Sequence, residues 1–543
     1  TPLNIDIEGC YSGPAELAGV GACVTGKQQC VGGALVEACI GDVLPRTEPC
    51  KSPVDLDCDG EVNETSGCCG DGMIQPLEEC DDKNTDENDG CLSDCSIKRV
   101  LAVTAAANHT CVLVTGGLVK CWGLNTFGQV GQGTKQMLIG GVPADLGAGL
   151  PAVNFGDGQK AFAINAGGSH TCALLTTGDI ATAVLGDVKC WGRNEFGALG
   201  AGTSATSVGL NSNELGNALK TVNLGAGAQA SRVYSGVSHS CALLGDGSLK
   251  CWGANAHGQL GIGDKATRGT SPAEMGDNLP PVDLGTNERA KVVAGGADHT
   301  CALLESGNVK CWGANQYGQL GVFLDLPTED RGDGPSEMGE KLPRVPLDKP
   351  AIAISVGRQH SCAVLEGGTI KCWGMNNNGQ LGEENALNTS AAMPPDMTTS
   401  VSVGNQRTAI AVSAGGRLLN NAQPPPEFGH SCALLDNFSV KCWGSNITGQ
   451  LGQIPAGNNN KSWSDFAGES IASLPTLQLA RPPKAISAGG RHTCVLLDNY
   501  SVKCWGENMS GQLGQGSLVD YGDNAGETTA TLPPVNLFGP SPM

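Results

Sequence analysis

The stretch HTCALLESGNVKCWGANQYGQLG, residues 299–321, contains the pattern that decides the fold. It reads as His, Thr or Ser, Cys, a short apolar run, a turn, Cys-Trp-Gly and a variant of Asn-x-x-Gly-Gln-Leu-Gly. The pattern occurs seven times, and successive first cysteines lie 60 to 70 residues apart. Self-similarity at a fixed period is the signature of a repeat architecture. Because 80 glycines and 29 prolines make the chain rich in turns, each repeat is expected to form short strands.

The register of one hairpin follows from its turn. If residues 305–307 form a three-residue loop with Gly307 in the left-handed conformation, Cys301 falls directly opposite Cys311. Directly opposed residues on antiparallel strands have Cα atoms roughly 4.5–5.5 Å apart, which is bridging distance. The same register holds for the loops at 115–117, 245–247 and 366–368. We therefore predict seven disulfides: Cys111–Cys121, Cys172–Cys190, Cys241–Cys251, Cys301–Cys311, Cys362–Cys372, Cys432–Cys442 and Cys494–Cys504.

Three repeats depart from this hairpin. The second has eight extra residues between its cysteines, which predicts a longer or bulged hairpin. The sixth and seventh have Asp-Asn-Phe at 436–438 and Asp-Asn-Tyr at 498–500, where the Asn is expected to adopt the positive φ.

The phrase Trp-Gly-x-Asn-x-x-Gly-Gln-Leu-Gly, with Gly-Gly-x-x-His upstream, resembles the regulator of chromosome condensation repeat. Seven matches in tandem cover about residues 100–543. The resemblance implies an all-β fold, a seven-bladed β-propeller, and the added cysteine pair is typical of secreted bacterial versions. The tail phrase LPPVNLF at 532–538 has no repeat after it, so we expect it to complete the first blade and remove a free sheet edge.

A small disulfide-rich module is predicted before the propeller, which occupies 99–543. Residues 1–100 carry 20 acidic and 6 basic side chains, a net charge of −14 out of −21 for the whole chain. Residues 1–66, with six cysteines, resemble a metal-binding module of secreted myxobacterial proteins. Residues 67–98 resemble a second short cysteine-rich repeat from the same bacteria.

A calcium loop is the candidate metal site of this module. Alternating aspartates followed by Gly60 open it, as in loops that bind Ca²⁺ through oxygen ligands. Position 12 is Ser66, so a complete helix-loop-helix hand is excluded, whereas a shorter calcium-bound loop and a solvated acidic loop both remain open. The candidate ligands are Asp55, Asp57, Asp59, Glu61, Asn63 and Glu64.

The cysteine count is odd. Of 25 cysteines, 14 pair within the blades and 11 remain in the N-terminal module. The two resemblances account for ten of these, which leaves Cys68 for an intermolecular bridge or for a buried or modified thiol.

Composition excludes several functions. A net charge of −21 disfavours nucleic acid as a partner. No run of about 18 apolar residues is present to span a membrane. Seven of the eight histidines occupy one repeated position, which indicates a buried hydrogen-bonding role rather than a metal site. The tripeptide at 331–333, Arg-Gly-Asp, lies in a repeated acidic turn and is interpreted as a chance match, and Trp463 is interpreted as a surface or interface aromatic.

These observations predict a non-enzymatic, secreted or cell-surface bacterial protein with a structural or binding role. The first residue is Thr1, consistent with a removed signal peptide or an engineered start. The propeller loops and the N-terminal module would mediate assembly with other copies, adhesion, or binding of another protein, including attachment to an envelope component. The alternative is a secreted inhibitor or ligand-binding protein resembling the propeller-type β-lactamase inhibitor of soil bacteria.

Overall fold

A computed structural model gives the architecture of the chain. It describes residues 6–10, 26–31, 34–40, 91, 97–322, 328–383, 400–404, 406–418, 427–453, 462–465, 468–524 and 526–538. The chain divides into two compact units, Thr1–Lys98 with Phe538–Met543, and Arg99–Leu537. No helix of the described residues is long and apolar enough to cross a membrane.

The first unit contains a small antiparallel sheet. Its strands are β1 (Asp6–Cys10), β2 (Gly26–Val31) and β3 (Ala34–Ile40), in that order across the sheet. Val31 pairs with Ala34, so β2 and β3 form a tight hairpin. The candidate calcium ligands at 55, 57, 59, 61, 63 and 64 and the odd cysteine Cys68 lie outside the described residues.

The second unit consists of seven antiparallel sheets, each built from consecutive strands, and confirms the predicted all-β seven-bladed propeller. The helical segments described in it are single 3₁₀ turns. The strands of blades 1 to 3 are β4 (Val100–Ala105), β5 (His109–Val114), β6 (Leu118–Leu124) and β7 (Leu138–Ile139); β8 (Lys160–Ala166), β9 (His170–Thr176), β10 (Asp187–Arg193) and β11 (Ser207–Val208); and β12 (Ala230–Ser235), β13 (His239–Leu244) and β14 (Leu249–Gly253). Those of blades 4 to 7 are β15 (Ala290–Gly295), β16 (His299–Leu304) and β17 (Val309–Gly313); β18 (Ala351–Val356), β19 (His360–Leu365) and β20 (Ile370–Gly374); β21 (Ala409–Leu418), β22 (Glu427–Leu435) and β23 (Val440–Gly444); and β24 (Pro483–Ala488), β25 (His492–Leu497) and β26 (Val502–Gly506). The 3₁₀ turns are Thr115–Gly117, Pro143–Asp145, Gly147–Gly149, Ser212–Glu214, Gly216–Ala218, Pro272–Glu274, Gly276–Asn278 and Gly339–Lys341.

The hydrophobic core lies between neighbouring blades. The second strand of a blade, such as β16 with the sequence HTCALL, is buried at every position because both of its faces are covered by adjacent sheets. With both faces buried, such a strand lacks the alternation of apolar and polar side chains that marks a sheet with one solvated face. The seven tryptophans of the Cys-Trp-Gly phrase are at most 1% exposed. One core cluster joins Leu174 of blade 2 to Leu244 and Trp252 of blade 3.

The predicted hairpin register is confirmed. Cys301 lies directly opposite Cys311, and the Leu304 amide donates to the Asn308 carbonyl at 2.9 Å, as a three-residue loop requires. In all seven pairs the cysteines are directly opposed, with Cα atoms 4.0–4.1 Å apart and sulfur atoms at disulfide distance. In blade 2 the longer hairpin loop spans 177–186.

The expectation for the loops of blades 6 and 7 is wrong by one residue. Positive φ is found at Phe438 (59°) and Tyr500 (65°), the position that Gly307 (81°) occupies in blade 4. The third residue of this loop turns the chain back, whatever its type. Asn437 instead accepts the backbone N–H of Ser439 through its side-chain oxygen, at 3.2 Å.

The tail does not complete the first blade, whose sheet contains only β4 to β7. The Val535 amide donates to the Val502 carbonyl, so the tail follows the outer strand of its own blade, the seventh. The same bond recurs elsewhere, for example from Val153 to Val119 in blade 1. The tail reaches blade 1 through the Leu537 carbonyl, which accepts from Lys120 Nζ at 2.8 Å. It therefore fills the junction between blades 7 and 1, as the equivalent segments do elsewhere.

Candidate binding face

A ring of buried histidines joins every blade to the next. Each Nε2 lies 2.8–3.0 Å from a Thr or Ser hydroxyl of the following blade. The pairs are His109–Thr171, His170–Ser240, His239–Thr300, His299–Ser361, His360–Ser431, His430–Thr493 and His492–Thr110.

The proton positions in this ring follow from its acceptors. Thr300 Oγ1 donates to the Gln259 carbonyl at 2.8 Å, and Trp312 Nε1 donates to the same carbonyl at 3.0 Å. With its own proton used, the hydroxyl accepts from His239, which is therefore the neutral Nε2–H tautomer. Burial, the largest cause in all seven, lowers the histidine pKa values to about 3 or about 4. The predicted buried hydrogen-bonding role is confirmed.

A second ring, formed by buried lysines, was not predicted from the sequence. The lysine of the repeated Lys-Cys-Trp-Gly phrase is buried in all seven blades. Among the described bonds, Nζ of six of them donates to backbone carbonyls of the segments between blades, as Lys310 does to Leu284 at 2.8 Å and to Gly339 at 2.9 Å. The seventh, Lys371, pairs with Asp348 at 3.5 Å. Burial lowers the pKa of Lys310. The recurrence of lysine at one strand position in all seven repeats could have indicated this ring. It was not interpreted so because lysine side chains are usually exposed.

The Arg-Gly-Asp tripeptide belongs to an internal turn. The Glu337 carboxylate accepts the backbone N–H groups of residues 332, 333 and 334 at 2.9–3.1 Å. Arg331 pairs with Glu329 at 2.9 Å, and Asp333 pairs with Lys265 at 2.7 Å. Both charged ends of the tripeptide are thus engaged within the chain.

We call the side of the propeller that carries the Asn-x-x-Gly turns the rim face. These turns follow the third strands and lie beside the starts of the second strands, since the Leu124 amide donates to the Asn108 carbonyl. Three of them expose a large apolar side chain: Phe196 (41%), Ile447 (47%) and Met509 (66%). Trp463, predicted to be a surface or interface aromatic, is partly buried. It packs against the apolar clusters on both sides of blade 6, and its backbone pairs with Gly444.

The centre of the rim face is a narrow neck lined mainly by glycine and alanine. Glycine is required there because a Cβ on Gly236 would lie 2.3 Å from the His239 ring. Groups of three or more metal-binding side chains are absent from the described residues. The neck therefore presents mainly backbone and small side chains, with Arg358 also in its lining.

Blade 6 carries the one elongated inner hairpin of the described blades. Beyond the usual register, β21 and β22 continue with pairs at Gly416–Gly429, Arg417–Phe428 and Leu418–Glu427, toward the rim face. The segment 419–426 at its tip lies outside the described residues. The signal was present in the sequence, since 13 residues separate Gly416 from His430 whereas two separate Gly296 from His299.

Four side chains meet at the base of this hairpin, and we call Arg417, Phe428, Arg491 and Glu507 the hairpin-base cluster. Arg417 Nη1 donates to Glu507 Oε2 at 2.9 Å, and Arg491 Nη2 donates to Glu507 Oε1. The Arg491 guanidinium lies 5.6 Å from the centre of the Phe428 ring. Glu507 is 2% exposed, Arg491 8% and Arg417 30%.

The electrostatics of the cluster are those of two cations sharing one anion. Burial and then the charge of Arg417 lower the pKa of Arg491 to about 10, and burial lowers the pKa of Arg417. Asp520 is the other carboxylate that interacts with Arg491, and burial raises the pKa of that carboxyl group. Its Oδ1 accepts the Asn508 backbone N–H at 2.7 Å.

Two exposed apolar side chains belong to the turns next to this cluster. Met509 is two residues beyond Glu507, in the turn of blade 7. Ile447 precedes Thr448, whose hydroxyl donates to the Arg491 carbonyl at 3.2 Å. The arrangement presents guanidinium N–H groups that can bind an acceptor group, with exposed apolar side chains in the adjacent turns.

Known proteins share this architecture. The model of the RCC1-like domain matches residues 56–419, and that of the regulator of chromosome condensation (RCC1) repeat matches 484–512. The ultraviolet-B receptor UVR8 of Arabidopsis thaliana is 29% identical over 427 residues, 78% of this chain and 80% of the receptor. Human HERC6, a probable E3 ubiquitin-protein ligase, is 30% identical over 295 residues, 53% of this chain but only 24% of HERC6.

Two solved structures show the same fold. Prp20p of Saccharomyces cerevisiae, studied for its binding to Gsp1p and histones, has a TM-score of 0.55 at 18% identity, covering 80% of this chain and 87% of Prp20p. Human WBSCR16 has a TM-score of 0.51 at 17% identity, covering 74% of this chain and 87% of that protein. With a family model matching more than half of its length, this chain belongs to the RCC1-like domain family.

Proposed function

We propose that this protein is a non-enzymatic binding protein, secreted or on the cell surface, that holds a protein partner or another copy of itself on the rim face. The observation that carries the proposal is the elongated hairpin of blade 6, which rises from this face with the hairpin-base cluster beneath it. Irregular additions to a rigid scaffold are where binding commonly resides.

The composition of this region suits a protein interface. Arginine and large apolar side chains supply most of the binding energy at such interfaces. Ile447 and Met509 are exposed in turns next to the hairpin-base cluster, in which one of the two arginines lies over the Phe428 ring. The glycine-lined neck beside them lacks a reactive cluster among the described residues, which supports binding rather than catalysis.

The proposed location rests on the cysteines. Seven pairs at disulfide distance, one in each blade, suit a protein that persists in an oxidising compartment. The N-terminal module, with its candidate calcium loop at 55–64, would then attach the propeller to a neighbouring copy or to an envelope component.

A protein ligand also agrees with the relatives. Prp20p binds Gsp1p and histones, although at 18% identity the likeness shows the fold alone. The second candidate is a soluble secreted inhibitor that uses the same face. The two differ in assembly, because a structural or adhesive protein remains associated with cells or copies whereas an inhibitor disperses as monomers.

Site-specific photo-crosslinking in the native host tests the proposal. A benzophenone side chain would replace Met509 on the rim face or, as the control, Ile352, which is 46% exposed on the opposite face. We expect one defined protein adduct, or a homodimer, from position 509 and none from position 352. Equal adducts at both positions would refute the assignment of the face. No adduct at either, with native mass showing only monomers, would refute the assembly role and favour the inhibitor.

A further inference from the structure

The arginines of the hairpin-base cluster have many unused donors. Each guanidinium carries five N–H groups, yet within the described part of the chain each makes a single hydrogen bond, to Glu507. Arg491 Nε is buried with no hydrogen-bond partner there. Buried donors normally have partners, and each exception needs a physical explanation.

Among the described residues, the groups around the cluster leave Arg417 partly exposed. Glu507 is buried beneath the two guanidinium groups, and its Oε2 also accepts from Gln512 Nε2 at 3.2 Å. Arg417 is 30% exposed, so its remaining N–H groups can be reached from outside. Phe428, directly opposite Arg417 in the hairpin, forms an apolar wall.

We propose that the hairpin-base cluster is a recognition site for a carboxylate side chain of an acidic protein segment, which would bind Arg417 opposite Glu507. This rests on the proposed function and names the chemistry of the partner. Glu507 already shows that a carboxylate fits between the two guanidinium groups, one oxygen toward each. An incoming carboxylate would use the second edge of Arg417, since a planar guanidinium can bind carboxylates along two edges.

A carboxylate fits the charges better than a dianionic phosphate. The two arginines are accompanied by Glu507 and Asp520, so the local formal charge is close to zero and the site offers donors rather than a strong positive potential. The chain as a whole carries −21 and repels polyanions at long range. A short acidic segment anchored by apolar neighbours at Ile447 and Met509 is the ligand that these features favour.

Isothermal titration calorimetry of the full chain with a peptide, acetyl-Leu-Glu-Glu-Leu-amide, tests the proposal. Physiological salt is used because its Debye length of about 8 Å screens the net charge of the chain. We expect saturable binding that Arg417→Met weakens at least about tenfold, the loss of a charge-assisted hydrogen bond. Arg481→Met is the matched control, since Arg481 is exposed and pairs with Asp498 on the opposite face. It should leave the affinity unchanged.

A second variant separates recognition from a purely structural role. Glu507→Gln removes the negative charge beside the guanidinium groups, which repels an incoming carboxylate, and should strengthen peptide binding. A purely structural ion network would only lose stability. Circular dichroism verifies that each variant is folded. No binding to the wild type, equal loss in Arg417→Met and Arg481→Met, or unchanged or weaker binding in a folded Glu507→Gln variant would each overturn the proposal. A crosslink at position 509 together with no peptide binding would refute the carboxylate site but retain the binding face.

Discussion

His492 Nε2 lies 2.9 Å from the Thr110 hydroxyl, and this contact joins the last blade of the propeller to the first. The Thr110 hydroxyl donates in turn to the Gln512 carbonyl at 2.9 Å. The junction between blades 7 and 1 therefore has the same hydrogen bonds as a junction between consecutive blades, such as that between His239 of blade 3 and Thr300 of blade 4, which lie 2.9 Å apart. The ring closes through side chains and the tail segment, without a strand shared between the chain ends.

Thr110→Val should destabilise the protein as much as Thr300→Val does. Each change leaves a buried His Nε2–H without its acceptor, which costs about 1–3 kcal/mol. Thermal and urea unfolding of the two variants would measure this loss. A much smaller effect at Thr110 than at Thr300 would show that the ring opens between blades 7 and 1 in solution.

Local geometry explains why so much of the fold could be predicted. The cysteine register follows from a three-residue loop, and every residue that determines it lies within 11 positions of Cys301. The fold class followed from seven copies of one phrase. The position of the tail was wrong because Pro-Pro-Val phrases follow their own blade, a relationship that becomes visible only when the Val535 amide is seen bonded to Val502.

The candidate site depended on contacts that the repeat pattern hides. Arg417 and Glu507 are 90 positions apart and occur at repeat positions filled by unrelated residues in other blades. Only the long insertion before His430 marked this region in the sequence. The side chains at such insertions differ from blade to blade, so their partners cannot be inferred from periodicity.

The free energy of unfolding should decrease as the pH drops below about 6.5. The folded-state pKa values of the seven ring histidines are about 3 to 4, below the ordinary value of 6.5. The unfolded chain therefore binds more protons between these values, and each histidine contributes up to about 1.4 kcal/mol per pH unit within that window. The stability is fully present above pH 6.5 and is lost as the pH approaches 4.

Unfolding free energy measured by urea titration between pH 7.5 and 4.5 tests this dependence. His239→Gln should reduce the slope by about one seventh, because one of seven ring histidines is removed. A profile flat from pH 7 to 5 would contradict the buried neutral ring.

Lys310→Met should loosen the segments between blades 3, 4 and 5. The ammonium group holds the carbonyls of Leu284 and Gly339. Its removal leaves the Leu284 carbonyl without its donor, at about 1–3 kcal/mol, whereas the Gly339 carbonyl keeps the Leu342 N–H at 3.3 Å. Hydrogen exchange should accelerate in residues 276–285 and 337–345. Lys291→Met, at an exposed position of β15, serves as the control. Equal exchange in both variants would refute the anchoring role.

Calcium should protect the N-terminal module if Asp55, Asp57 and Asp59 bind it. A ligand that binds only the folded state stabilises it by about 2.7 kcal/mol at a hundredfold excess over its Kd. Hydrogen exchange of residues 55–64 in the full chain, with millimolar Ca²⁺ or with Mg²⁺ as the control, would report this protection. Unchanged exchange with Ca²⁺ would identify the segment as a solvated acidic loop.

Peptide mapping under non-reducing conditions should recover seven disulfides, each within one blade, and leave Cys68 unpaired within its own chain. The blade cysteines face each other across adjacent strands, so each forms its bridge without moving the backbone. Replacing both Cys241 and Cys251 by alanine should cost roughly 3 kcal/mol, because a loop of about 10 residues is then free in the unfolded chain. A mapped bridge between blades would contradict the register.

If Cys68 links two chains, a reductant should convert dimers to monomers while the ring of histidines keeps each propeller closed. Native mass spectrometry would distinguish dimers from monomers.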